Sequence, residues 1–157
     1  MLKKLIQLMF LLTVLFANNS CASDSLKSDK TIGKVTVSEL YEIKPAFKRK
    51  QSTFKYSGTV KWKNEYSLRC FIGVWCHDTK REMPRLLKVL KDAGVPEEKI
   101  EIYLLSKSKK QPEVEVKANR VFYTPTIIVL KNGKEVDRFV EHPYSSWVKD
   151  LNRVLTK

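Results

Sequence analysis

The stretch VWCHDTKREMP, Val74–Pro84, decides how this chain is read. Just before it, Leu68–Val74 (LRCFIGV) is an apolar run long enough for one buried strand. Just after, Met83, Leu86, Leu87 and Leu90 recur at i, i+3, i+4 and i+7, the stripe of an amphipathic helix that Gly94 and Pro96 end. Cys76 therefore stands where a strand hands over to a helix. There the unpaired N–H groups and the helix dipole favour a thiolate, the nucleophile of thiol–disulfide exchange.

Upstream, Val37–Phe54 carries Leu40, Tyr41, Ile43, Ala46 and Phe47 at roughly helical spacing, interrupted by Pro45. Downstream, Lys99–Leu105 (KIEIYLL) reads as a second strand, and Ser108–Phe122 as a charged segment with a short helix. Thr126–Leu130 (TIIVL) and Lys134–Val140 (KEVDRFV) flank Asn132-Gly133, a strong hairpin signal. Ser145 or Ser146 can cap a closing helix that presents Trp147, Val148, Leu151 and Val154. Strands separated by helices predict parallel pairs, with the hairpin as an antiparallel edge. The fold class is α/β, a central mixed sheet flanked by helices.

The first 22 of the 157 residues have the build of a signal peptide: Lys3 and Lys4, then a 13-residue apolar run, Leu5–Ala17, too short to span a membrane. Two processing routes are open. A cut after Ala22 would release a soluble protein, whereas Ser20-Cys21 resembles a bacterial lipoprotein signal that would leave Cys21 lipidated and attached to the membrane. Either way the protein is exported, to the periplasm or the outer side of a membrane. Residues 23–34 (SDSLKSDKTIGK) read as a polar tether, and 35–157 as the folded domain.

The chain has 30 Lys and Arg against 17 Asp and Glu, a net +13; without Lys3 and Lys4 it is +11. The lysines are spread along the length and no aromatic-basic motif accompanies them. This is a solvated basic surface rather than a nucleic-acid site. Two histidines, His77 and His142, and no Cys/His cluster leave no metal set. No carboxylate pair, Ser/His/Asp order or glycine-rich phosphate loop appears, and no cofactor is expected.

Two motifs carry a family resemblance. Trp75-Cys76-x-x-Thr79-Lys80 with Pro84 resembles the thioredoxin signature Trp-Cys-x-x-Cys-Lys and its helix proline. Thr124-Pro125-Thr126, continuing to Lys131-Asn132-Gly133, resembles the second signature, a cis-proline before the third core strand followed by the Lys-Asn-Gly turn. The resemblance is to exported bacterial thioredoxin-like proteins. It implies a thioredoxin fold with Pro125 cis beside Cys76, and a substrate surface of Trp75, His77, Asp78, Thr124 and Pro125.

Thr79 replaces the family's resolving cysteine, which in a dithiol enzyme attacks the mixed disulfide intramolecularly. Its hydroxyl can instead steady the Cys76 thiolate. The family's buried acid, six residues before the nucleophile, is here Cys70. A strand between the two cysteines would separate them by up to ~20 Å, beyond disulfide reach, so Cys70 reads as a buried small hydrophobe. The expectation is monothiol exchange with protein or glutathione disulfides, Cys76 catalytic and Thr79 assisting. The alternative is a non-catalytic binding module that uses the groove beside Pro125.

Overall fold

A computed structural model describes residues 32–156. The signal segment, Cys21 and nearly all of the expected tether lie outside the described residues. The elements in chain order are β1 (Gly33–Val35), α1 (Val37–Ile43), α2 (Pro45–Thr53), β2 (Tyr66–Ile72), α3 (His77–Asp92), a 3-10 turn (Glu97–Lys99), β3 (Ile100–Leu104), α4 (Glu113–Ala118), β4 (Thr126–Lys131), β5 (Lys134–Val140) and α5 (Trp147–Val154). The strands form one mixed sheet in the order β1-β3-β2-β4-β5.

The expected single helix over Val37–Phe54 is two. Pro45 begins α2, and Lys44 before it leaves the helical region (φ −137°, ψ 75°), because the ring of a following proline disfavours it. A capping box of Thr36 and Glu39 starts α1. Gly33 and Lys34, at the end of the expected tether, pair with β3 in β1. Lys34 is held there by Glu101, which also accepts from Arg69.

β2 is the central strand, parallel to β3 and antiparallel to β4. The antiparallel β4 departs from the expectation that helix-separated strands run parallel. The connection through α4 delivers the chain back to the end where β3 and β2 finish, and β4 begins there. That reversal pairs Thr126 with Phe71. It brings Thr124 and Pro125 to the carboxyl end of β2, where Cys76 follows.

Side chains alternate across the sheet. Leu68, Cys70, Ile72, Ile102, Ile127 and Val129 enter the larger core with Phe47, Met83, Leu86, Leu90, Trp147 and Leu151 from the helices. Phe71, Ile128 and Leu130 face a smaller cluster that Val116 of α4 covers. Asn132 (φ 50°) and Gly133 (φ 78°) both adopt positive φ, the geometry of the primed two-residue turn, and join β4 to β5. Ser146 caps α5, its hydroxyl accepting from Lys149 N–H.

Candidate active site around Cys76

Cys76 is the N-cap of α3, with extended angles (φ −69°, ψ 137°), and is partly exposed. Gly73 makes the approach possible. A Cβ placed on it would lie 2.6 Å from the Trp75 ring, so the indole folds back over a residue without a side chain. Trp75 Nε1 donates to the Leu105 carbonyl at 3.2 Å, which fixes the ring against the end of β3.

The Cys76 thiol donates to the Thr124 carbonyl at 3.1 Å. The Thr124–Pro125 peptide is cis, and Thr124 and Pro125 are both buried. The Pro125 carbonyl is already taken, accepting from Glu141 N–H at 2.7 Å. The carbonyl that faces the sulfur is therefore that of Thr124.

Burial opposes ionisation of Cys76, but the Thr124 side chain, the Thr79 N–H and hydroxyl and the Asp78 N–H outweigh it, and the thiol titrates below its ordinary value. The bond to the Thr124 carbonyl favours the protonated form, yet it is one acceptor against several donors. Thr79 is fully buried, and by distance and angle its hydroxyl completes no hydrogen bond. The two observations agree once the sulfur's state is considered. A protonated thiol is a weak acceptor, and a thiolate is a strong one.

The other residues of the stretch divide. His77 is 87% exposed and its ring lies 3.8 Å from Asp78, turned to solvent. Asp78 does not cap the helix; it pairs with Arg81 at 2.8 Å. Cys76, Thr79 and Thr124 are thus brought together by contacts, with Trp75 and Pro125 next to them along the chain, whereas the His77 and Asp78 side chains lie at the rim. Cys70 and Cys76 are both free thiols. Cys70 is fully buried in the larger core, and burial, followed by the nearby Glu101 charge, pushes its thiol well up.

Sequence reasoning missed Glu82. It is 4% exposed and accepts from Trp147 Nε1 at 3.1 Å, Arg81 at 2.6 Å and Arg85 at 3.1 Å. The signal was available: Thr79, Glu82, Met83 and Leu86 fall on one helical stripe, so a carboxylate there had to be buried and paired. Among the described residues no group of three or more His, Cys, Asp or Glu side chains is gathered as a metal site.

No family model and no curated protein matches the chain. Solved structures do. A protein of unknown function from Pseudomonas aeruginosa is 15% identical with a TM-score of 0.52, the match covering 78% of this chain and 98% of that one. Thioredoxin from Aeropyrum pernix is 21% identical with a TM-score of 0.43, over 58% of this chain and 73% of that one. Thioredoxin f2 from Chlamydomonas reinhardtii is 18% identical with a TM-score of 0.40, over 51% and 69%. The five-stranded mixed sheet, in the order β1-β3-β2-β4-β5 and flanked by helices, is a thioredoxin-like fold.

Proposed function

We propose that this chain is an extracytoplasmic monothiol exchange protein in which Cys76 attacks disulfides. The observation that carries the reading is the buried Thr79 hydroxyl, without a completed hydrogen bond, among the groups that draw the Cys76 thiol down. A buried unpaired hydroxyl costs about 1–3 kcal/mol, and a bond to the Cys76 thiolate would offset that cost.

In the reaction Cys76 first loses its proton to solvent. The thiolate attacks one sulfur of a disulfide in line, a new Sγ–S bond forms, and the old S–S bond breaks. The departing thiolate takes up a proton from water. Thr79 cannot attack the resulting mixed disulfide, and Cys70 is sealed in the core. An external thiol therefore completes the cycle by a second exchange. No net oxidation or reduction occurs on the protein, which suits isomerising or deglutathionylating work on protein or glutathione disulfides. Export rests on residues 1–22, and membrane attachment on lipidation of Cys21.

The test is a pH profile of Cys76 alkylation joined to intact mass of protein taken from the cell envelope. Half-maximal alkylation should fall below the ordinary thiol value of about 8.5, with glutathione or protein adducts on Cys76. An unreactive thiol with no depression and no adduct overturns the exchange reading and leaves the binding module. The same mass states whether Cys21 is lipidated, absent or unmodified.

A further inference from the structure

A basic groove opens one residue beyond the thiol. Its walls are His77, Lys80, Arg81 and Arg85 from α3 and Lys50 and Phe54 from the end of α2, over Pro84. No carboxylate lines it. The two nearby acids are already committed, Asp78 to Arg81 and Glu82 to both Arg81 and Arg85. Among the described residues no carboxylate pairs with Lys50 or Lys80, so the groove keeps two uncompensated charges.

The groove is also ordered by the fold. Pro84 has no N–H, so the Lys80 carbonyl four residues earlier loses its helical partner. Lys50 Nζ donates to that carbonyl at 3.3 Å, which holds the ammonium over α3 with two N–H donors to spare. Arg85 lies over the Phe54 ring, 5.4 Å from its centroid. Side chains on a helix lean toward its N-terminus, so Lys80 leans back toward Cys76. From Cys76 to Arg85 the helix rises about 13 Å, the length of roughly four extended residues.

We infer that this groove receives an acidic polypeptide flank of the disulfide that Cys76 attacks, with carboxylates two to four residues from the reacting cysteine. The inference rests on the exchange reading for its consequence, but the groove itself can be tested apart from it. A membrane or glutathione would use the same cations. The peptide is favoured because the groove begins one residue beyond the thiol and runs along α3 away from it.

The probes are cysteine peptides activated as 2-thiopyridyl disulfides, with two Glu, two Gln or two Lys at positions two to four from the cysteine. Attack by Cys76 forms the protein–peptide disulfide and releases one 2-thiopyridone, which is read by absorbance. Each rate is divided by the rate with neutral dipyridyl disulfide. The Glu peptide should react about tenfold faster than the Lys peptide at low salt. In the double variant Lys50→Gln, Lys80→Gln, and in ~1 M salt, the ratio should approach one. Equal rates for the Glu and Lys peptides overturn the proposal. So does a preference confined to activated glutathione, or vesicles of anionic lipid that bind through Lys50 and Lys80 while the Glu peptide gains nothing. If neutral dipyridyl disulfide itself fails to react, the exchange reading has failed instead. Anisotropy of a labelled Glu peptide with serine in place of cysteine then decides the groove: binding lost in the double variant supports it, and no binding overturns it.

Discussion

The Thr79 hydroxyl is the atom on which the behaviour of the site turns. It is fully buried and completes no hydrogen bond by geometry, yet it belongs to the set that favours the Cys76 thiolate. A hydrogen bond to a charged group contributes about 1.5–3 kcal/mol, so one such donor sets a rate difference of tenfold or more. Thr79→Val keeps the shape and removes the donor. The variant's alkylation midpoint should move up toward the ordinary thiol value, with alkylation at neutral pH about tenfold slower. Its thermal stability at pH 5 should be unchanged or slightly higher, because an unsatisfied buried group has gone. The sign for the parent follows the same way. Its folded thiol titrates lower than the unfolded one, so between the two values the unfolded chain binds more protons. Stability contributed by Cys76 is present above the unfolded value and is lost as pH falls through the folded one. An unmoved midpoint in Thr79→Val would show that backbone N–H groups alone set the thiol.

At the scale of the element, α3 joins the site to the rest of the domain. Its N-cap is Cys76, its proline frees the carbonyl that holds Lys50, and its one buried carboxylate ties it to α5. Glu82 binds Trp147 and two arginines, so removing it leaves Trp147 Nε1 unpaired in a buried place, frees Arg85 and leaves Arg81 to Asp78 alone. Glu82→Ala should lower the free energy of unfolding by about 3 kcal/mol, within the range for breaking a buried charged network. Glu82→Gln, which keeps one acceptor, should cost about 1–2 kcal/mol. Urea titrations with unchanged m-values would check both; a Glu82→Ala protein as stable as the parent would mean that water replaces the carboxylate. Much of α3 was legible in the sequence, because the apolar stripe and Cys76 at its start are local patterns. The primed turn at Asn132-Gly133 was legible for the same reason. What local pattern could not reveal is pairing across distance. The antiparallel entry of β4 depends on where the loops around α4 deliver the chain, and the short β1 depends on the partner edge of β3. The burial of Glu82 was legible from its helical stripe, but its partner Trp147, 65 positions along the chain, was not.

The whole molecule determines how many thiols can act. β2 is covered on both edges by β3 and β4, and Cys70 at its middle faces the larger core with no exposure. No loop movement uncovers it, since the neighbouring residues Leu68 and Ile72 are equally buried and belong to the same cooperative unit. Reagents should therefore reach Cys70 only through global unfolding. For a domain stable by 5 kcal/mol or more, that opening makes alkylation of Cys70 at least about a thousandfold slower than that of Cys76. Peptide mapping of a native alkylation time course separates the two cysteines. Urea should then raise the Cys70 rate exponentially, with the same m-value that equilibrium unfolding gives, while the Cys76 rate changes little before the transition. Cys70 labelled in native buffer at the rate of Cys76 would mean that the sheet opens locally beneath the site. A second thiol could then reach the mixed disulfide, and an external resolving thiol would no longer be required. Labelling of Cys70 only on unfolding leaves Cys76 as the single accessible thiol among the described residues, so that under the proposed exchange an external thiol must resolve the mixed disulfide.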